Sequence, residues 1–228
     1  MTQADALTLL KMGKNVFLTG SAGSGKTYVL NQYIDFLKER GVEIAITAST
    51  GIAATHIGGM TIHSWSGIGI KDNLSKYDLD ALEEKQYLWK RFEKVKVLVI
   101  DEISMLSAHT LDSIDAVAKL FKRNNEPYGG LQVIFSGDFF QLPPIVRNTP
   151  QVAPPKKEEN LFDASDISYE FDHQTQNLTP FAFRAQSWRK ADLHVCYLHE
   201  QFRQDDGDLF TILQEIRDGE VSEQTFEN

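Results

Sequence analysis

The chain has 228 residues, 42% hydrophobic and 11% aromatic, with a formal charge of −9 at pH 7, and so fits an ordinary globular protein with one sizeable core or two small ones. No apolar run approaches the ~20 residues needed to cross a bilayer, and MTQADALTLL lacks the basic-then-apolar order of a secretory signal. Cys196 is the only cysteine, which excludes an intramolecular disulfide, favours a cytosolic setting and reads as a small core side chain.

In chain order, strands are expected at Asn15–Thr19, Glu43–Ala48, Val95–Asp101, Leu131–Ser136 and Leu193–Leu198, alternating with segments of helical period. That alternation predicts an α/β fold, a parallel sheet with helices on both faces. VKVLVID and LQVIFSG are nearly continuous apolar runs, as strands buried on both faces require.

The first strand runs into GSAGSGKT, residues Gly20, Ser21, Ala22, Gly23, Ser24, Gly25, Lys26 and Thr27, and then into the helical TYVLNQYIDFLKER. Strand, glycine loop and helix together make a phosphate site. Glycines let successive backbone N–H groups turn toward one anion, and the helix adds its positive end. Lys26 is expected to reach the β- and γ-phosphates of ATP, and Thr27 to offer its hydroxyl to Mg²⁺.

After the second strand comes TASTGIAATHIGGMTIHSWSGIGI, rich in small, hydroxylated and glycine residues, with His56, His63 and Trp65. Small residues allow close approach, hydroxyls bind phosphate oxygens and rings stack on bases. The composition suits single-stranded nucleic acid crossing the top of the sheet, bound through amides and helix ends with few positive charges. Trp65 and His63 are each equally readable as ordinary core or surface residues.

VLVIDEISML places Asp101 and Glu102 at the carboxyl end of a buried strand, where bare carboxylates are costly unless paired or on a metal. Asp101 is expected to hold Mg²⁺ through its water shell, and Glu102 to take a proton from, or orient, the attacking water. The alternative is that the pair caps the next helix. That helix, LDSIDAVAKLFKR, sets Leu111, Ile114, Val117, Ala118 and Phe121 on one face.

The next strand ends in FSGDFFQLPPI. Gln141 is placed to hydrogen-bond a γ-phosphate oxygen before hydrolysis and to lose it afterwards, moving Phe139, Phe140, Pro143 and Pro144. Asp138 is a second polar support. A loop glutamine facing water is the plainer alternative. From Arg147 to Thr179 periodicity dissolves into a polar, proline-bearing insertion. Glu158, Glu159, Asp163, Asp166, Glu170 and Asp172 face only Lys156 and Lys157 there, so the negative total says little about any one face. LHEQFRQDD supplies Arg203, which either stabilises charge on a γ-phosphate or pairs with Glu200 or Asp205. Leu209, Ile212, Leu213 and Ile216 mark a last helix, and GEVSEQTFEN follows without a closing strand, as at a domain boundary.

GSAGSGKT, ASTGIAATHIGGMTIHSWSGIG, VLVIDEISML, GGLQVIFSGDFFQLPPI and LHEQFRQDDGDLFTILQEIRDG occur in an order that resembles the 5′-to-3′ DNA helicases of the petite-integration-frequency family, superfamily 1B. The resemblance spans the chain outside the insertion. It implies a RecA-like P-loop fold, with an N-terminal helix over about residues 1–13 carrying Gln3 as the adenine reader. It implies ATP and Mg²⁺ as ligands of Lys26, Thr27, Asp101, Glu102 and Gln141, with Arg203 on the γ-phosphate. Single-stranded DNA contacts fall on Thr50, Gly51, His63, Ser64, Phe140 and Pro143. The resemblance further implies forked or structured DNA as substrate, a monomer, and work in DNA repair, recombination and telomere maintenance. The compartment is cytoplasmic in a bacterium, nuclear or mitochondrial in a eukaryote. Such helicases join two RecA-like domains, and nothing after Arg217 resembles the second, so residues 1–228 read as the first motor domain alone, weak or inactive in unwinding. Two rival readings stay open: a P-loop phosphotransferase acting on a small molecule, and a nucleotide-gated binding module without useful turnover.

Overall fold

The apolar runs pair side by side. The computed structural model describes residues 1–71, 74–144 and 181–199. Strands β1 (Val16–Gly20), β2 (Ile44–Ala48), β3 (Met60–Thr61), β4 (Val97–Asp101), β5 (Gln132–Ser136) and β6 (His194–Leu198) form one sheet in the order β3-β2-β4-β5-β1-β6. Every pairing is parallel.

Alternation of side chains along each strand makes two cores. Val16, Leu18, Val97, Val99, Ile134, Cys196 and Leu198 face one side, where helices α1 (Gln3–Lys11) and α2 (Lys26–Lys38) contribute Leu10, Leu30 and Tyr33. Phe17, Leu98, Ile100, Val133 and Phe135 face the other. That side is covered by α4 (Ile62–Ser66), α5 (Lys76–Glu83), α6 (Gln86–Lys94) and α7 (Ala108–Lys122), with α8 (Gln186–Lys190) placing Trp188 against Phe17 and Phe135. The short α3 (Gly51–His56) packs Ala53, Ala54 and Ile57 on Ala48 in a small satellite cluster. Burial on both faces is why these strands are continuously apolar.

Each expected strand begins one or two residues later than the apolar run suggests, because the leading residue is used elsewhere. Val95 is the C-cap of α6. Asn15 donates from its side-chain amide to the Ala191 carbonyl at 2.7 Å and accepts from the Val133 N–H at 2.9 Å, tying the end of α8 and the start of β5 to the start of β1. All the apolar positions named for α7 are buried. The periodicity argument left residues 70–94 without elements, yet α5 and α6 lie there. Ser75 and Asp78 form a capping box at the start of α5, and Leu88 and Phe92 bury one face of α6. The insertion, Arg203 and the helix of Leu209 to Ile216 lie outside the described residues.

Helix α2 carries the chain from β1 past β5 and β4 to β2 on one face, whereas α7 carries it from β4 to neighbouring β5 on the other. Crossovers of one hand running in opposite directions must use opposite faces. The loops leaving the carboxyl ends of β1, β5 and β4 therefore stand side by side, where open α/β sheets bind ligands. Among the described residues, no helix is long and apolar enough to cross a membrane.

Candidate functional site

The loop from Gly20 to Thr27 joins β1 to α2. Gly25 is the N-cap of α2 at φ 83°, ψ 23°, a left-handed conformation that a side chain disfavours. Gly20 is required by contact, since a Cβ there would lie 2.7 Å from Ser24 Oγ and 2.8 Å from the Leu198 carbonyl oxygen. The Lys26 ammonium donates to the carbonyls of Gly20 at 2.8 Å and Ser21 at 2.9 Å, which curls the loop around it. Gln3, in the first turn of α1, donates from Nε2 to the Ser24 carbonyl at 3.2 Å. Thr2 and Asp5 cap that helix, and the Met1 ammonium donates to the Tyr197 carbonyl at 2.7 Å, so α1 is fixed against both the loop and β6.

Asp101 ends β4, paired with β2 and followed by Glu102. Asp101 is 6% exposed. Burial raises its carboxyl above the ordinary aspartate value, against the Ser136 hydroxyl, the Glu102 backbone N–H and the Lys26 charge, which lower it. Burial also raises the half-buried Glu102; the Asp101 and Asp138 charges add to the shift and Lys26 opposes it. Glu102 holds φ 53°, ψ 45°, left-handed for a residue with a side chain, at a cost on the order of 1–3 kcal/mol. The alternative in which the acidic pair caps the next helix does not hold for α7, whose N-cap is Ser107 accepting from the Thr110 N–H at 3.0 Å.

After β5, Asp138 is buried and Gln141 exposed. Gln141 joins Thr27, Asp101, Glu102, Thr50 and Met105 around an open cleft of about 660 Å³. Ser104, 1% exposed, also lines it, and among the described residues its hydroxyl has no hydrogen-bond partner. No sequence signal singled out Ser104. Because β4, β5 and β1 are adjacent, residues far apart in sequence meet there.

A second groove of about 500 Å³ lies beside the first. It is lined by the hydroxyl-bearing residues Ser49, Thr50, Thr61, Ser64, Ser107 and Thr110, with His63, Ile70 and Pro144, and among the described residues no Lys or Arg lines it. Of the residues expected to contact nucleic acid, Thr50, His63 and Ser64 come together here. Gly51, Phe140 and Pro143 are exposed but do not line the groove, and Pro144 takes the place expected of Pro143. Trp65 resolves to core: it is 4% exposed with its ring 4.4 Å from Phe92, so it offers no face to a base. Thr50 and Met105 border both cavities. The loop from Asp138 to Pro144 also touches both, through Gln141 and Leu142 on one side and Pro144 on the other.

Known proteins resemble this chain in sequence and fold. The family model of PIF1-like helicases matches residues 3–227. The ATP-dependent DNA helicase Pif1 of Psychrobacter sp. (strain PRwf-1) is 48% identical over 224 residues, covering 95% of this chain and 30% of that protein. The crystal structure of Pif1 helicase from Candida albicans superposes with a TM-score of 0.79 at 33% identity, over 98% of this chain and 45% of that one. Pif1 helicase from Bacteroides, solved in complex with ADP-AlF3 and ssDNA, gives a TM-score of 0.74 at 32% identity, over 99% of this chain and 47% of that one. The chain thus spans 30% of the length of the Psychrobacter relative and less than half of either solved chain. Its fold is that of a RecA-like P-loop protein, and the chain belongs to the PIF1-like helicase family.

Proposed function

We propose that this chain is the first motor domain of an ATP-dependent 5′-to-3′ DNA helicase, which couples ATP hydrolysis to movement along single-stranded DNA and to duplex unwinding. The observation that carries the reading is the shared wall: a cleft lined by Thr27, at the end of the glycine loop, and by an acidic pair meets a groove rich in Ser and Thr at Thr50 and Met105. A phosphotransferase acting on a small molecule leaves that groove without a task.

In this reading the residues divide the work. Gln3, held against Ser24, reads the adenine edge. Residues 20–27 wrap the phosphates, and Lys26 exchanges its two loop carbonyls for phosphate oxygens. Glu102 takes the proton of the attacking water, its raised carboxyl suiting a base that must later release it. Gln141 donates to a γ-phosphate oxygen, and Arg203 contributes charge to the same group. Thr27 and Asp101 would hold Mg²⁺. The site fits it, since Asp101 is a buried carboxylate whose charge a cation offsets and the unpartnered Ser104 hydroxyl can bond to a water of its shell. The ion's contribution when bound is to neutralise charge on the phosphates.

Thr50, His63 and Ser64 contact the sugar–phosphate backbone of single-stranded DNA, with Gly51, Phe140 and Pro143 flanking it. The relatives' greater length supports a second motor domain in the same polypeptide, which closes over both ligands; the substrate is forked or structured DNA and the motor a monomer. It works wherever DNA is kept, the cytoplasm of a bacterium or the nucleus or mitochondrion of a eukaryote, in repair, recombination and telomere maintenance.

The test is fluorescence anisotropy of a labelled oligothymidine titrated with the protein at low salt, with and without a non-hydrolysable ATP analogue. Saturable binding that shifts with nucleotide and weakens as salt rises is expected. Binding of nucleotide with no affinity for DNA, in the full-length polypeptide as well, would overturn the motor reading.

A further inference from the structure

Asp138 touches neither cavity, yet it is a carboxylate only 2% exposed at the end of a buried strand, and burial of that charge is costly unless hydrogen bonds answer it. Its position is worse than burial alone implies. Asp101 and Glu102 already crowd this end of the sheet, and the Asp138 charge pushes the Glu102 carboxyl up. An asparagine or serine there would satisfy a turn without adding a third negative charge.

What the carboxylate does is visible in its bonds. Asp138 Oδ1 accepts from the Phe140 backbone N–H at 3.2 Å, and Oδ2 accepts from Gln141 Nε2 at 3.2 Å. The Gln141 backbone N–H donates to the Asp138 carbonyl at 3.0 Å. The loop is thus closed at main chain and side chain together. Gln141 is an exposed residue, and a long polar side chain left to itself samples many rotamers. An ionised carboxylate is acceptor-only, so it bonds to the NH₂ end of the carboxamide and never to its oxygen. That fixes which end of the amide is turned inward. The NH₂ group has a second hydrogen, and Gln141 lines the cleft.

We infer that Asp138 is a positioning residue for Gln141: it selects the amide orientation and rotamer from which the second N–H of Nε2 meets a γ-phosphate oxygen. The inference rests on the reading of Gln141 as the residue that bonds to the γ-phosphate. It gives a third carboxylate beside the other two a task, since neutral substitutes would accept the flipped amide equally well.

A double-mutant cycle tests it, with single-turnover ATP hydrolysis by the full-length polypeptide on saturating DNA as the readout. Asp138→Ala is expected to slow hydrolysis by about 10-fold while leaving nucleotide affinity within about 2-fold, the signature of lost orientation rather than lost binding. Asp138→Asn is expected to fall between Asp138→Ala and the parent chain, since its carbonyl still accepts from Gln141. In a Gln141→Ala background neither substitution is expected to slow hydrolysis further. An equal loss in both backgrounds would overturn the inference and assign Asp138 to the fold or to Glu102. Normal hydrolysis by Asp138→Ala, with Gln141→Ala slow, would overturn it while sparing the reading of Gln141. Normal hydrolysis by Gln141→Ala would remove both. Should Asp138→Ala fail to fold, as thermal melting would reveal, the isosteric Asp138→Asn completes the same cycle.

Discussion

Glu102, the proposed base, sits in a locally strained backbone. Its left-handed backbone turns the side chain out of the β4 line, and no glycine relieves the strain. Replacement of the carboxylate by its amide keeps size and backbone preference but removes the proposed base. Glu102→Gln is therefore expected to bind nucleotide normally and to lose hydrolysis by roughly 10²-fold or more, measured as phosphate release against a fluorescent-analogue titration. Lys26→Ala is expected to fail a step earlier, losing tight nucleotide binding in the same titration because the loop loses the cation it curls around. Cys196 is fully buried on β6, with its thiol pushed up by burial. It should resist iodoacetamide in the folded chain and react readily in denaturant; alkylation of the native protein at the unfolded rate, followed by mass spectrometry, would contradict that burial.

At the scale of elements, the sheet is held at its amino ends by polar side chains that the apolar pattern does not reveal. Asn15 bonds through its side chain to β5 and to the end of α8, and Gln132 accepts from the Tyr33 hydroxyl at 2.8 Å while donating to the carbonyls of Leu10 and Lys14. Asn15→Leu would leave a carbonyl and an N–H unpaired, so a loss of about 2 kcal/mol or more is expected, read as a lower urea midpoint at unchanged slope. Helices α5 and α6 escaped a reading based on periodicity because they are short, at 8 and 9 residues, and bury few side chains each. The signal of α5 was local, the Ser75–Asp78 capping box, and hydrophobic spacing alone does not register a cap; α6 has no side-chain cap.

For the whole molecule, the proposed function makes the arrangement of loops the link between two ligands. Thr50, Met105 and the Asp138–Pro144 loop lie against both cavities, so a shift that accommodates nucleotide in one alters the wall of the other. Linkage then requires reciprocity: whatever factor the ATP analogue applies to oligothymidine affinity, saturating oligothymidine must apply to analogue affinity. Unequal factors, measured by anisotropy in the two directions, would mean that more than one equilibrium is being read. The sequence alone determined much of this. A strand, a glycine loop and a helix in direct succession mark a candidate phosphate site because every part is local, and buried parallel strands announce themselves by unbroken apolar runs. Asp101 and Glu102 were legible for the same reason, as charges with no packing rationale at a strand end. Only the tertiary structure decided that Trp65 belongs to the core rather than to a groove, that Pro144 and not Pro143 lines that groove, and that Ser104 and Met105 belong to the cleft. Those outcomes depend on which face of a short element meets its neighbours, and on strand order. Both are set by contacts between residues distant in sequence, to which local pattern is blind.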